Sequence, residues 1–159
     1  KSAISESVRS GRTNLQFISN EPGPKVVAIT STISGEGKTV VAINLAGVIA
    51  FSDKKVVIID LDMRKPKIHL GFNVENIQGM STILIGRDTA ENCINKSNLA
   101  NLDFITAGPI PPNPSELILS QKMNELLDFL KSKYDIIIID TPPVGIVTDG
   151  VEVLSLIHI

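Results

Sequence analysis

The sequence predicts an α/β fold in which a mostly parallel β-sheet lies between two layers of helices. Three predominantly apolar runs, at 25–31, 55–60 and 134–140, have the length and the β-branched content of strands. Such runs are typical of strands that are buried on both faces of a parallel sheet. Helical segments separate the runs along the chain, which predicts βαβ units with right-handed crossovers.

The predicted elements alternate in type along the chain. The first is an amphipathic helix over 4–18, with an apolar stripe at 4-3-4-3 spacing and a charged opposite face. The sequence Glu-Pro-Gly-Pro at 21–24 then breaks the chain before the first strand. Helices are predicted over 38–52, 80–86 and 116–132, strands over 25–31, 55–60, 102–106 and 134–140, and a stiff proline-rich loop over 108–114.

Length and composition indicate one globular domain. The chain has 159 residues, of which 43% are hydrophobic and 20% are charged. The net charge of −2 gives no support for sequence-independent binding to nucleic acid. The single cysteine, Cys93, leaves no internal disulfide and no cysteine-based metal cluster. Neither a signal peptide nor a bilayer-spanning apolar run is found, so we expect any membrane link to come from outside these residues or from a partner.

A glycine-rich loop between the first strand and the next helix carries the strongest chemical signal. In this arrangement the backbone N–H groups and the helix N-terminus surround an anion, as in a phosphate cradle. Lys38 can reach the phosphates of a nucleotide, and the Thr39 hydroxyl can bind Mg²⁺. The match to the phosphate-loop pattern is imperfect, because Thr32 stands where its first glycine belongs. The alternative interpretation is an ordinary strand-to-helix turn with a surface lysine.

Three aspartates follow two of the predicted strands, at the edge where a ligand crevice is expected. Asp60 and Asp62 are two residues apart, so both point towards the phosphate loop if the strand geometry persists. Paired carboxylates there can hold Mg²⁺ or accept a proton from an attacking hydroxyl. Asp140 ends an apolar strand in the Walker B pattern and can hold Mg²⁺ directly or through water. A turn or cap role is the alternative for each aspartate.

A cluster of positive charge follows the first acidic motif. Arg64, Lys65 and Lys67 either form a solvated charge run or orient phosphate or substrate, and the sequence leaves both interpretations open.

At these motifs the sequence resembles the bacterial tyrosine kinases (BY-kinases) of capsular and exopolysaccharide export, over essentially the whole chain. The resemblance implies the three-layer sandwich of the P-loop NTPases, with a mostly parallel sheet. Four motifs carry it in the family's order, and the family-like segment 112–117 supports it. The motifs are Ser31-Thr32-Ile33-Ser34-Gly35-Glu36-Gly37-Lys38-Thr39, Asp60-Leu61-Asp62-Met63-Arg64, Asp140 followed by Thr141-Pro142-Pro143, and Glu6-Ser7-Val8-Arg9-Ser10-Gly11-Arg12.

The resemblance implies that ATP and Mg²⁺ are the cofactors, and that a γ-phosphoryl group is transferred to a tyrosine hydroxyl of a protein. It implies catalytic roles for Lys38, Asp60 and Asp62, with Asp60 as the candidate base for the hydroxyl. The implied metal-binding residues are Thr39, Asp62 and Asp140. The implied nucleotide-binding residues are Ser34, Gly35, Glu36, Gly37, Lys38, Thr39 and Val40.

The resemblance also implies partners. It predicts a homo-oligomeric ring in which a helix over about 3–18 forms the subunit interface through Glu6, Arg9 and Arg12. It predicts protein tyrosine substrates, no nucleic acid, and a membrane polysaccharide co-polymerase segment or adaptor. The implied location is cytoplasmic, at the inner face of the cell membrane. Without the resemblance, the charged face of this helix would read as a solvated surface, because exposed ion pairs contribute little.

Some features depart from the family pattern. Ser34 replaces the usual loop proline, and Gly11 inside the predicted helix costs ~1 kcal/mol relative to alanine. We expect a single P-loop kinase domain over 1–159 that lacks the family's C-terminal strands and tyrosine cluster. Tyr134 opens a buried strand, which makes it a poor substrate. The segment 155–159 resembles translated sequencing-adapter read-through, and we predict that it is not native.

Three rival functions are open to a phosphate loop of this type. A partitioning-type ATPase carries an extra lysine five residues before the invariant one, and Ile33 occupies that position here. An iron–sulfur reductase of this fold needs cluster cysteines, which Cys93 alone cannot supply. A non-catalytic nucleotide switch that drives assembly of a polysaccharide exporter stays open, because binding and transfer use the same residues.

Overall fold

The computed structural model describes residues 22–30, 36–141 and 155–158. Strands in these residues form one six-stranded sheet with the order β3-β4-β2-β5-β1-β6. Every neighbouring pair is parallel except β3 with β4, so the predicted mostly parallel sheet is confirmed. The strands are β1 (Lys25–Thr30), β2 (Val56–Asp60), β3 (Asn95–Lys96), β4 (Leu102–Ile105), β5 (Ile136–Asp140) and β6 (Ser155–His158).

Helices cover both faces of the sheet, as the length and the continuous hydrophobicity of its strands require. They are α1 (Glu36–Phe51), α2 (Ile68–Gly71), α3 (Met80–Leu84), α4 (Ala90–Cys93), α5 (Pro114–Ile118) and α6 (Gln121–Lys133). Helix α1 leads from the carboxyl end of β1 back to the start of β2. Its first turn therefore lies at the carboxyl edge of the sheet and its last turn at the amino edge.

Two hydrophobic cores confirm the three-layer architecture. Because successive side chains of a strand point to opposite faces, Ile137 and Ile139 pack into one core while Ile136 and Ile138 pack into the other. The first core is filled by the apolar face of α6, which supplies Met123, Leu126, Leu127 and Leu130. The second is filled by α1, which supplies Ala42, Leu45, Ala46, Ile49 and Ala50.

The predicted elements are confirmed with shifted boundaries. The predicted helix over 116–132 is wrong as one element, because α5 ends at Ile118 and α6 begins at Gln121. Ser120 between them has an extended backbone (φ −79°, ψ 162°), which interrupts the helical hydrogen bonds. Sequence analysis missed α2, α4 and β3, which have only two to four residues each. The predicted helix over 4–18 lies outside the described residues.

Strand β6 lies at the sheet edge, where Ser155–His158 pairs with β1 in parallel. A short β-prone segment of any origin can pair with an open edge strand. The hypothesis that residues 155–159 are not native therefore stays a prediction.

A network of hydrogen bonds fastens the loop before α3 to the end of β4. Asn76 donates its amide to the Gly108 carbonyl (2.9 Å) and accepts from the Gly108 N–H (2.7 Å). The Thr106 hydroxyl donates to the Gln78 carbonyl (2.9 Å). The backbones approach so closely that a Cβ on Gly79 would lie 2.1 Å from the Thr106 carbonyl oxygen. Only glycine can occupy this position without moving main chain.

We expect Gly79→Ala to lower the free energy of unfolding by about 3 kcal/mol, because the new methyl group meets immovable backbone. Urea unfolding followed by circular dichroism measures the change. Gly71→Ala is the matched control, since its Cβ would meet the Cδ1 methyl of Ile43 at 2.4 Å and that side chain can rotate away. Equal losses in the two variants would contradict the role of the Gly79 contact.

Candidate nucleotide-binding site

The site begins with two aspartates that end neighbouring parallel strands. Asp60 of β2 lies opposite Asp140 of β5 in the register of the sheet. Ile58 and Ile138, each two residues earlier, pack into the core beneath α1. By strand alternation, both carboxylates therefore belong to the α1 face of the sheet. This confirms that these two acidic motifs meet at the carboxyl edge.

The first turn of α1 brings Lys38 onto these carboxylates. Its ammonium group lies 2.8 Å from Asp140 Oδ1, and both side chains are at least 95% buried. The same ammonium donates a hydrogen bond to the Thr141 carbonyl. Thr141 is itself held against β1, since its N–H and its hydroxyl both donate to the Ile29 carbonyl (3.1 Å each). Lys38 thereby joins α1 to two strands.

Thr39 places a second functional group beside Asp140. Its hydroxyl oxygen is buried and makes no hydrogen bond of ordinary geometry to another protein atom. Burial raises the pKa of Asp140, while Lys38 and, more weakly, the Thr39 hydroxyl act in the opposite direction. The hydroxyl therefore lies near this carboxylate with bonding capacity left over, as a metal ligand would.

Asp60 is fully buried and fixed by three backbone N–H groups. Its Oδ1 accepts from Asp62 (2.9 Å), and its Oδ2 accepts from Lys67 (3.0 Å) and Ile68 (3.1 Å). Burial and the nearby charge of Asp140 nevertheless raise the pKa of Asp60 from 3.8 to about 7. The folded state thus holds the proton more tightly than the unfolded chain. This group therefore lowers the stability of the fold as the pH rises from 3.8 towards 7.

Asp62 occupies a different position from the one that strand alternation predicts. Strand β2 ends at Asp60, so the condition under which Asp60 and Asp62 would project together, a continuing strand, is not met. Instead, Asp62 Oδ1 accepts from the Lys65 N–H (3.1 Å) in the turn that follows. The half-buried Asp62 is still close enough for its charge to raise the pKa of Asp140. Three carboxylates therefore share one electrostatic environment.

The oxygen donors of this site suit Mg²⁺, which prefers hard ligands and keeps several of its waters. Within the ranges that the structure describes, no three His, Cys, Asp or Glu side chains are arranged to hold an ion by themselves. A magnesium ion at this site would be shared between protein oxygens and substrate phosphates. Thr39, Asp62 and Asp140 are the residues that would hold it.

The remaining predicted site residues are only partly described. Ser34 and Gly35 lie outside the described residues. Glu36 begins α1, and Gly37 and Val40 are exposed in its first turn. The predicted interface residues Glu6, Arg9 and Arg12 also lie outside the described residues.

Tyr134 is unsuitable as a substrate, as the sequence predicts. Its side chain is buried, and its hydroxyl donates a 2.6 Å hydrogen bond to Asp103 Oδ2. Desolvation and the Asp103 carboxylate raise the pKa of this phenol above its usual value.

Sequence analysis missed two features of the site. One is the Thr141 carbonyl, which accepts from Lys38. The other is the pair of N–H groups from Lys67 and Ile68 that hold Asp60. Backbone groups carry no signature in the side-chain sequence, so only the fold could reveal them. The basic residues of this stretch differ in exposure, since Arg64 and Lys65 are exposed and Lys67 is half-buried.

The chain belongs to the family described as "AAA domain", whose family model matches residues 24–151. The fold and the family are those of nucleotide-binding P-loop proteins. Within this class, the similarity is to bacterial tyrosine kinases. The chain is 46% identical over 150 residues to the tyrosine-protein kinase YwqD of Bacillus subtilis (strain 168), a match that covers 94% of this chain and 63% of that protein. The resemblance drawn from the motifs is therefore confirmed.

Solved structures give the same result. The kinase domain of Escherichia coli tyrosine kinase ETK superposes with a TM-score of 0.78 and 42% identity, over 87% of this chain and 54% of that one. The septum site-determining protein MinD of Pyrococcus horikoshii, complexed with Mg-ADP, superposes with a TM-score of 0.62 and 25% identity, over 81% of this chain and 51% of that one. This chain thus spans less than two thirds of these proteins.

Of the helices that the structure describes, none combines the length and the hydropathy that a bilayer crossing requires.

We expect Asp140→Asn to lower the pKa of Asp60 towards the usual range of a carboxyl group, because the charge of Asp140 is one of the two causes that raise it. The side-chain carboxyl carbons, followed by NMR between pH 4 and pH 9, report this pKa directly. The exposed Asp128→Asn is the control and should leave it unchanged. An unaltered Asp60 pKa in Asp140→Asn would mean that burial alone perturbs this group.

Proposed function

We propose that this chain binds ATP with Mg²⁺ at the Lys38–Asp60–Asp140 site and transfers the γ-phosphoryl group to tyrosine hydroxyls of proteins. The observation that carries the proposal is the meeting of a buried lysine and two in-register aspartates at the carboxyl edge of a parallel sheet. Chemistry of this type is mostly positioning and stabilisation of charge. The similarity to YwqD and ETK, both of which are named tyrosine kinases, supports it.

On nucleotide binding, Lys38 would first exchange Asp140 for the phosphates as its anionic partner. In the described structure its ammonium neutralises Asp140, and on binding it would turn to the anionic phosphates. Asp140 is then left buried with a negative charge, which is costly unless a cation replaces the lysine. Asp140, the Thr39 hydroxyl and Asp62 would hold Mg²⁺ at that point. The metal would supply charge neutralisation for the transferring group.

Asp60 has the properties of a general base for the tyrosine hydroxyl. Its pKa of about 7 matches the operating pH of a cytoplasmic enzyme. A carboxylate has about four lone-pair positions. Oδ2 already accepts two N–H bonds, whereas Oδ1 accepts one. The proton of the substrate hydroxyl would therefore be taken by Oδ1.

A second function, a non-catalytic switch in which nucleotide drives assembly, is favoured by one observation. The three N–H bonds to Asp60 also suit a purely structural carboxylate that shapes the 61–68 turn. A partitioning-type ATPase is less well supported, because Ile33 stands at the position of its signature lysine.

The wider setting of the proposed kinase follows from the BY-kinase resemblance. We infer a homo-oligomeric ring built through Glu6, Arg9 and Arg12, in which each subunit phosphorylates its neighbour. We infer a polysaccharide co-polymerase segment or adaptor as the membrane partner, and the inner face of the cell membrane as the location.

We expect Lys38→Met and Asp60→Asn each to lower phosphotyrosine formation by about a hundredfold or more, because each removes a charged group at the reacting centre. The assay incubates the chain, with its full-length form in parallel, with γ-labelled ATP, Mg²⁺ and a tyrosine-rich peptide. The exposed Lys96→Met and Asp128→Asn are matched controls that should retain activity.

Distinct outcomes separate the candidates. ATP binding and ring formation without phosphotyrosine would refute the kinase in favour of the switch. Release of free phosphate that DNA or membrane stimulates would favour the partitioning class.

We expect Thr39→Val to weaken nucleotide binding in the presence of Mg²⁺ by roughly tenfold, since it removes one oxygen ligand but keeps the branched shape. Titration with a fluorescent nucleotide, with Mg²⁺ and with EDTA, separates the metal-dependent part. Thr39→Ser retains the hydroxyl and should bind like the parent. Equal weakening of Thr39→Val in EDTA would show that this hydroxyl contacts no metal.

A further inference from the structure

A cavity of about 390 Å³ lies at the amino edge of the sheet, opposite the nucleotide site. Its walls come from the segment before β1, the loop between α1 and β2, and the end of α6. Among the charged residues that line it, five are lysines and one is an aspartate: Lys25, Lys54, Lys55, Lys131, Lys133 and Asp135. A third of the chain's 15 basic residues thus converge on one cavity of a protein whose net charge is −2.

Two charged members of the cavity wall are used to build it. The ammonium group of Lys25 donates to the carbonyls of Pro22 (3.2 Å) and Gly23 (3.0 Å). The Asp135 carboxylate accepts a hydrogen bond from the Lys55 backbone N–H (2.9 Å). One oxygen of Asp135 is therefore engaged with main chain.

The other four lysines have no salt-bridge partner in the part of the chain that the structure describes. Across residues 22–30, 36–141 and 155–158, no carboxylate forms a salt bridge with the side chain of Lys54, Lys55, Lys131 or Lys133. The Lys133 ammonium lies 5.5 Å from the centre of the Phe129 ring, a cation–π contact that leaves its charge uncompensated. Like charges that line one cavity repel one another, so an anion in the cavity would relieve the repulsion.

The dipole of helix α6 accounts for the position of only two of these four lysines. Lys131 and Lys133 lie in the last turn of α6, where cations interact favourably with the helix dipole. Lys54 and Lys55 come from a separate loop and do not cap α6.

An exposed aromatic ring adds a second observation at the same edge. Phe51, the last residue of α1, is 94% exposed and lies three residues before Lys54. Basic side chains attract anionic lipid head groups, and an aromatic side chain inserts into the boundary between head groups and acyl chains. Nucleic acid is a rival polyanion that would also attract the lysines.

We propose that Phe51, Lys54, Lys55, Lys131 and Lys133 form a lysine edge that docks on an anionic lipid surface. Head-group phosphates lie over the cavity, and Phe51 enters the bilayer interface. The nucleotide site at the carboxyl edge then faces away from the bilayer and stays open to substrates. This inference is independent of the proposed kinase activity, because it uses none of the nucleotide-site residues.

Co-sedimentation of the 159-residue chain with lipid vesicles tests the proposal. We expect binding to phosphatidylglycerol-containing vesicles that weakens with salt, and little binding to pure phosphatidylcholine. Lys54→Gln/Lys55→Gln/Lys131→Gln should weaken partitioning by roughly fivefold for each lysine removed. Arg87→Gln/Lys96→Gln/Lys122→Gln removes the same charge from exposed positions outside the lysine edge and should bind like the parent.

Separate measurements test the contribution of Phe51 and the binding of rival anionic ligands. Phe51→Ser should weaken vesicle binding, whereas Ile110→Ser, at another exposed apolar position, should not. Circular dichroism checks that each variant is folded. Equal weakening by the two triple variants would overturn the proposal. Lysine-edge-dependent binding of a single-stranded oligonucleotide or of tripolyphosphate, with no vesicle binding, would also overturn it.

Discussion

The buried ion pair between Lys38 and Asp140 is the interaction on which the site depends. Its 2.8 Å contact joins the first turn of α1 to the end of β5. Lys38 also donates to the Thr141 carbonyl, and the Thr141 N–H in turn donates to the Ile29 carbonyl of β1. Removing one partner of such a pair typically costs about 3–5 kcal/mol, because the other charge is left buried and uncompensated. The pair therefore fixes the carboxyl edge of the sheet, and Lys38 can leave Asp140 only if another cation compensates the buried carboxylate.

The strand order of the sheet determines the position of the second carboxylate, that of Asp60. Strand β5 lies between β1 and β2, although it comes last of the three in the sequence. That insertion sets Asp60 beside Asp140 and α1 above both. The raised pKa of Asp60 is therefore a consequence first of burial and then of the strand order that brings the charge of Asp140 beside it.

Much of this could be predicted from sequence, because local pattern and chemistry agree. The run from Ile136 to Ile139 can only be a strand buried on both faces, and Gly37-Lys38-Thr39 after a strand indicates a phosphate site. Strand order could not be predicted, since nothing local to β2 or β5 names its neighbour. The residue at which β2 ends could not be predicted either, and the position of Asp62 depends on it. The backbone partners of Asp60 depend on the 61–68 turn, which only the folded chain defines.

The carboxyl and amino edges of the sheet carry different charges and therefore favour different ligands. At the carboxyl edge, Lys38 pairs with Asp140 beside two further aspartates, so an incoming polyphosphate would add negative charge next to three carboxyl groups. Lys38 cannot neutralise both the phosphates and Asp140, and a divalent cation is the economical solution. At the amino edge the excess is positive, and no carboxylate among the described residues satisfies it by a salt bridge. One edge therefore requires a cation to bind its anion, whereas the other can attract an anionic surface unaided.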